Sequence, residues 1–205
     1  MSYTLKDINL NAKKTAFLLV DYQNFFVEPG CPLEAEGAAD ACDSINAFAT
    51  KLQEMGGLVI YTLQSHDYMK HYFYYKKWPQ HFPDGVPILR RGTREFEPYH
   101  ELTVKPDFII EKDRWSAFYE TNLDLILKNF DIETVVLGGC TTSVCTEATA
   151  RDAVTRGYDG VMISDYCFGF NKLIKDGSLA NWDLAWGIVA TSDEVMEEVV
   201  NQTTK

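Results

Sequence analysis

Apolar and polar positions along the chain follow two periods in turn, one typical of buried strands and one typical of helices. Residues 15–20 form a continuous apolar run that ends at Asp21, the pattern of a strand buried on both faces. Residues 37–55 instead place apolar side chains at helical spacing, and Gly56 and Gly57 close that segment. This alternation predicts parallel strands joined by helices.

The same patterns recur along the rest of the chain. Strands are predicted at residues 15–20, 58–63, 108–112, 134–137, 160–165 and 188–191. Helices are predicted at residues 37–55, 122–129, from near 143 to 157, and from 192 onward. Residues 64–106 are irregular and contain five of the seven prolines, and loops of that length are usually functional. We therefore expect one α/β domain over residues 1–205, a three-layer Rossmann-like fold with a mainly parallel six-stranded sheet.

Composition excludes several classes of partner. A formal net charge of −11 argues against binding to nucleic acid or to an anionic membrane. Residues 1–14 lack the apolar core of a signal peptide, and no apolar run approaches the roughly 20 residues of a membrane span. The five cysteines form no CxxC pair and no zinc-type Cys–His spacing, which favours a reduced, cytoplasmic location.

Cys145 is the strongest candidate for a reactive side chain. It follows a β-branched run and the glycine pair Gly138–Gly139, at the start of a segment with helical periodicity. This places it in the first turn of a helix at the carboxyl end of a strand. Unpaired N–H groups and the helix dipole favour a thiolate there. The position predicts a nucleophile.

Two charged residues also stand at strand ends. Asp21 follows the first predicted strand and Lys112 ends the third. In open α/β sheets the active crevice lies beyond the carboxyl ends of the strands, where the strand order reverses. Together with Cys145, these residues predict a catalytic cluster.

Three motifs in this order resemble those of the isochorismatase-like cysteine hydrolases. Residues 21–26 resemble the DxQxxF motif, which carries the catalytic aspartate. Residues 112–123 resemble the KxRxSAFxxTxL motif of the lysine, and residues 139–153 resemble the cysteine motif. The resemblance extends from about residue 14 to residue 195 and implies the isochorismatase-like form of the predicted fold.

The resemblance also implies a mechanism without a cofactor. Asp21 would take the thiol proton of Cys145, Lys112 would stabilise the thiolate, and the thiolate would attack an amide or ureido carbonyl. A cis peptide between Cys140 and Thr141 would direct the N–H groups of Thr141 and Cys145 toward the oxyanion. Hydrolysis of the thioester would complete the release of ammonia or an amine from a small-molecule substrate.

Two alternatives stay open at the level of sequence. Relatives that hydrolyse the vinyl ether of isochorismate use the acid without a covalent step, and the presence of Cys145 favours C–N hydrolysis instead. A non-catalytic member of the fold is the other alternative, and the complete set of three residues argues against it. Relatives commonly form homo-oligomers, so a dimer or tetramer is expected by resemblance.

No metal is expected. Nicotinamidases bind metal through a DxH motif and a further histidine, and the corresponding residues here are Gln64, His66 and His81. Glutamine in place of the carboxylate leaves this set without an anionic ligand.

The substrate-binding candidates are Gln23, Phe26 and Trp115, which neighbour the catalytic residues in sequence. The aromatic run within residues 68–78, which includes Tyr72, is a candidate for the entrance of the pocket or for a subunit interface. Glu120 replaces a glycine common in the family and is a candidate for narrowing or charging the site.

Overall fold

A six-stranded sheet forms the centre of the protein. The computed structural model describes residues 3–68 and 73–204. The strands are β1 (Thr15–Val20), β2 (Leu58–Gln64), β3 (Phe108–Lys112), β4 (Thr134–Cys140), β5 (Asp159–Phe168) and β6 (Ile188–Ala190). Their order is β3-β2-β1-β4-β5-β6, and every neighbouring pair is parallel. The predicted parallel α/β sheet is confirmed.

Helices connect the strands and cover both faces of the sheet. They are α1 (Asn24–Val27), α2 (Cys42–Glu54), α3 (Phe73–Lys77), α4 (Leu123–Asn129), α5 (a π-helical turn, Thr142–Thr146, continued by Glu147–Thr155), α6 (Lys172–Ala185) and α7 (Ser192–Thr203). In the described ranges, none of them combines the length and the apolar character that a membrane crossing needs.

The core is divided between the two faces of the sheet, as a three-layer fold requires. On one face α2 and α7 supply Phe48, Leu52 and Val195 to a cluster built on β1, β2 and β5. On the other face α4, α5 and α6 pack their apolar sides on the same strands, and Leu127 and Trp182 are fully buried there. Strands buried on both faces explain the continuous apolar runs in the sequence.

Helix α6 is absent from the sequence prediction. Its large apolar side chains Leu173, Ile174 and Leu184 are 80%, 56% and 84% exposed, whereas Leu179 and Trp182 face the core. Because apolar residues lie on both sides of this helix, its periodicity does not mark one buried face. The predicted helix at 37–55 starts later, at α2, because a short 3-10 turn over Ala39–Ala41 precedes it.

Trp182 fixes α6 to the sheet. Its indole N–H donates a hydrogen bond to the carbonyl oxygen of Ile188 at 3.1 Å. The ring lies against Gly160 and Gly187, where an added Cβ would come within 2.8 Å and 2.6 Å of it. The two glycines therefore provide the space that the indole fills.

The carboxyl ends of β1 and β4 approach each other unusually closely. Gly139 has a φ of +122°, and a Cβ at this position would stand 2.0 Å from the carbonyl oxygen of Val20. Only glycine fits such a backbone contact. The contact places the end of β4 directly beside Asp21.

Replacement of Trp182 by alanine is expected to lower the free energy of unfolding by about 3–5 kcal/mol, because it leaves a cavity and removes the partner of the Ile188 carbonyl. Urea denaturation measures this value. Leu184→Ala on the same helix is the control, and we expect it to change stability by less than about 0.5 kcal/mol because the side chain is 84% exposed. Equal losses in the two variants would contradict the role of Trp182.

Candidate active site

The predicted residues meet at the carboxyl edge of the sheet, where the strand order reverses between β1 and β4. Asp21 directly follows β1, and Lys112 is the last residue of β3. Cys145 lies in the first turn of α5, which follows β4. The structure therefore brings three side chains from distant parts of the sequence to one point.

Lys112 and Asp21 form a buried ion pair. The distance from Lys112 Nζ to Asp21 Oδ2 is 2.7 Å, and both side chains are 0% exposed. Nζ also donates to Gln64 Oε1 at 2.6 Å and to the Arg114 carbonyl oxygen at 3.1 Å. All three donors of the ammonium group are thus used, as a buried charge requires.

Thr62 contacts the second carboxylate oxygen of Asp21. The sequence patterns did not predict this contact. Its hydroxyl donates to Asp21 Oδ1 at 2.6 Å, and its carbonyl oxygen accepts the Asp21 N–H at 3.0 Å. Asp21 itself has a φ of +50°, a left-handed conformation that aspartate tolerates better than most residues. The one available signal was a hydroxyl inside an otherwise apolar strand, and threonine is common in strands for steric reasons alone.

The Cys145 thiol lies against this ion pair and is 6% exposed. Burial raises the pKa of the Cys145 thiol well above its usual range, and the charge of Lys112 only partly opposes that effect. Desolvation therefore opposes the thiolate that a position at a helix start favours, and a neighbouring base is needed to remove the thiol proton.

A cavity of about 560 Å³ opens above the thiol. Its wall is mainly aromatic and aliphatic, and it contains the predicted residues Phe26, Trp115, Thr141 and Cys145. The other lining residues are Pro32, Leu33, Glu34, Gln64, His66, Phe73, Tyr74, Lys77, Trp78, Val144 and Phe170. The peptide bond between Cys140 and Thr141 is cis. Of the aromatic run, Phe73, Tyr74 and Trp78 line this cavity, and Tyr72 lies outside the described residues.

Gln23 does not belong to the wall of this cavity. Its amide nitrogen donates to the carbonyl oxygens of Gln64 and Phe96, at 3.1 Å and 2.6 Å, and its oxygen accepts the Gln64 N–H at 2.8 Å. The side chain is fully buried. Gln23 therefore ties the loop after β1 to β2, and its expected contact with substrate is wrong.

Glu120 is also remote from the cavity wall. It is exposed and adopts a φ of +54°, the left-handed region that favours glycine. This conformation would suit the glycine expected here by resemblance, and Glu120 is not among the described residues that line the cavity.

The residues compared with a metal site do not form one. Gln64 Oε1 is 2.6 Å from the ammonium of Lys112, and the Gln64 amide nitrogen donates to the Ser65 carbonyl oxygen. A divalent cation at Gln64 would stand beside a positive charge. His81 Nδ1 is bonded to the Tyr74 hydroxyl at 3.0 Å. No group of three metal-ligating side chains occurs in the described ranges.

Arg91 forms ion pairs with carboxylates close to Lys112. It pairs with Asp67 at 3.0 Å, Glu111 at 2.6 Å and Asp113 at 2.9 Å. Hydrogen bonds to Asp113 and to the other two carboxylates raise the pKa of Arg91. The cluster joins the loop after β2 to the residues on both sides of Lys112, and it depends on an arginine in the long loop that sequence patterns did not single out.

Comparisons with known proteins identify relatives of this chain. Maleamate amidohydrolase of Pseudomonas putida is 26% identical over 197 residues, which are 91% of this chain and 87% of that protein. Ureidoacrylate amidohydrolase RutB of Acinetobacter baylyi is 31% identical over 179 residues, 78% of this chain and 73% of that protein. Because these relatives are named amidohydrolases, this chain is an enzyme of the class that hydrolyses amide C–N bonds.

Solved structures show the same fold. The cysteine hydrolase from Pseudomonas syringae pv. phaseolicola superposes with a TM-score of 0.85 and 26% identity, over 98% of this chain and 100% of that one. Residues 15–194 match the family described as isochorismatase domain, a span that includes all three clustered residues. The chain therefore belongs to the isochorismatase family.

Proposed function

We propose that the protein hydrolyses the C–N bond of a small amide, ureido or carbamoyl compound through a thioester on Cys145. The observation that carries this proposal is the buried Lys112–Asp21 pair against the buried thiol of Cys145, which lines a cavity. Such a thiol becomes nucleophilic only when an adjacent base removes its proton. Asp21 is that base.

The first step moves one proton and leaves the net charge of the cluster unchanged. The Cys145 proton passes to Asp21, so the carboxylate becomes neutral and the sulfur becomes anionic. Lys112 remains positive and now faces a thiolate instead of a carboxylate. Because the low-polarity surroundings never hold an additional charge, the transfer avoids a further desolvation cost.

The thiolate then attacks the carbonyl carbon and forms the S–C bond. The carbonyl oxygen becomes an oxyanion, and the backbone N–H groups of Thr141 and Cys145 are proposed to bind it. Both residues line the cavity, and Cys145 lies in the first turn of α5, where N–H groups lack carbonyl partners within the helix.

Asp21 returns its proton to the departing nitrogen as the C–N bond breaks, which releases ammonia or an amine. Water, deprotonated by the same carboxylate, attacks the thioester, and the sulfur leaves as a thiol. The cycle balances with one water consumed, and no cofactor or metal is proposed. The homo-oligomer and the cytoplasmic location stay predictions from the sequence.

Replacement of Cys145 by alanine is expected to reduce ammonia release to background, because no thioester can form. The measurement uses a panel of amides, N-carbamoyl amino acids, maleamate and ureidoacrylate. Isochorismate is the control for the alternative reaction. Turnover of isochorismate that persists in Cys145→Ala would show a vinyl-ether hydrolase, and the absence of activity in the wild-type protein on the whole panel would contradict the proposed function.

Thr62→Val is expected to lower kcat about tenfold or more, because Asp21 loses a hydrogen bond to a charged oxygen. We expect KM to change by less than about twofold, because Thr62 does not line the cavity. Thr62→Ser retains the hydroxyl and is the matched control. An unchanged kcat in Thr62→Val, with an unchanged melting temperature, would argue against a positioning role.

The pH dependence of Cys145 alkylation by iodoacetamide tests whether Asp21 accepts the thiol proton. Burial raises the pKa of the thiol, so without a proton acceptor the thiol should react only at alkaline pH. We expect the wild-type protein to react at neutral pH and Asp21→Asn to react more slowly there, with its rate rising as the pH increases. Identical pH profiles would exclude Asp21 as the acceptor. Cys145→Ala shows the background from the other cysteines.

A further inference from the structure

The cavity above Cys145 is nearly free of positive charge. Among the lining residues that the structure describes, Lys77 is the one cationic side chain, and its ammonium lies 5.4 Å from the ring of Phe73 and 5.9 Å from that of Trp78. This cation–π arrangement holds the charge among aromatic rings near the exposed end of the cavity. Phe73 and Trp78 are 61% and 38% exposed.

The ammonium group of Lys112, beneath the cavity, already has three hydrogen-bond partners. The three donors of Lys112 are taken by Asp21, Gln64 and the Arg114 carbonyl oxygen, and Lys112 is fully buried outside the lining. Glu34 adds a negative charge to the wall. Among the described lining residues, a carboxylate bound in this cavity would find Lys77 as its one cationic partner and Glu34 as an opposing charge, in a wall that is otherwise mainly apolar, so its loss of hydration is unfavourable.

The wall offers extensive contact to an apolar ligand instead. Six of its members are phenylalanine, tyrosine or tryptophan, including Phe26, Trp115 and Phe170. Aromatic side chains bind other rings and apolar groups through large contact areas. A volume of about 560 Å³ lies in the range of cavities that hold drug-sized ligands, and a compound of a few atoms would leave most of it empty.

We propose that the substrate is an uncharged carboxamide whose acyl group is apolar and larger than a single unsubstituted ring. This inference rests on the amide hydrolysis proposed above and sets the substrate apart from maleamate and ureidoacrylate, which are carboxylates. The apolar acyl group occupies the aromatic part of the cavity, and the amide carbonyl lies at Cys145 and Thr141.

His66 supports the same assignment. Its imidazole lines the cavity and is 3% exposed, and none of the described residues forms a hydrogen bond with its Nδ1. Burial, together with His81 and Lys112, lowers the pKa of His66 to about 3, so the ring is neutral at physiological pH. A neutral imidazole complements an uncharged ligand and supplies no charge to bind a carboxylate.

Binding to Cys145→Ala tests the assignment without turnover. Isothermal calorimetry compares 4-isopropylbenzamide with 4-carbamoylbenzoate, which differ in an apolar group and a carboxylate of similar shape. We expect the neutral compound to bind at least about tenfold more tightly, because the mainly apolar wall does not compensate a carboxylate for its lost hydration. Tighter binding of the anion, or no measurable binding of the neutral compound, would overturn the proposal.

Two sets of variants in the Cys145→Ala background test which cavity residues determine the affinity for the neutral and the anionic compound. Glu34→Lys reverses the wall charge and is expected to strengthen binding of the anion relative to that of the neutral amide. Glu34→Gln retains an oxygen acceptor for the Gly30 N–H, which Glu34 binds at 2.8 Å, and is its control. An anion affinity that does not respond to Glu34→Lys would contradict the role of wall charge.

Phe170→Ala is expected to weaken binding of the neutral amide about three- to tenfold. Tyr119→Ala is the matched control, because Tyr119 is 51% exposed against 50% for Phe170 but does not line the cavity. Equal affinities in the two variants would contradict the aromatic site.

Ammonia release by the protein with Cys145 intact separates this proposal from the function on which it rests. Cys145-dependent release that is faster from 4-carbamoylbenzoate than from the neutral amide would leave the hydrolase proposal standing and overturn the substrate class. Binding of the neutral amide without Cys145-dependent release from any compound would contradict the hydrolase proposal while supporting the selectivity of the cavity.

Discussion

The ion pair between Lys112 and Asp21 is the interaction on which the site depends. Two opposite charges 2.7 Å apart, with no solvent exposure, are stable only if the surrounding groups complete their hydrogen bonds. Thr62 and Gln64, both on β2, do so from the strand between the two partners. The polar residues of β2 therefore have a clear physical purpose: they allow a carboxylate and an ammonium to remain charged inside the protein.

The same enclosure acts on the proposed nucleophile. Burial disfavours the thiolate form of Cys145 and raises the pKa of its thiol, and the ammonium of Lys112 opposes this effect only in part. In the proposed mechanism the carboxylate of Asp21 accepts the thiol proton, so the buried pair and the buried thiol would act as a single functional unit.

Much of the fold could be predicted from the sequence because strands buried on both faces leave continuous apolar runs, such as that of β1. Helix α6 could not, since Leu173 and Leu184 point outward and blur its periodicity. Within the site, residues at strand ends such as Asp21 were predictable from topology. Gln23 was placed wrongly because proximity in sequence to Asp21 does not determine which way a side chain points.

The strand order determines when the three site residues come together during folding. Asp21 ends the central strand β1, whereas Lys112, 91 residues later in the chain, ends the edge strand β3. Cys145 arrives from the opposite side of β1, through β4. Each connection closes a long loop, which is a slow step in folding. A chain in which only β1, β4, β5 and β6 have assembled thus has Asp21 and Cys145 in place without Lys112, and the proposed catalytic set is complete only when β2 and β3 have also docked on β1.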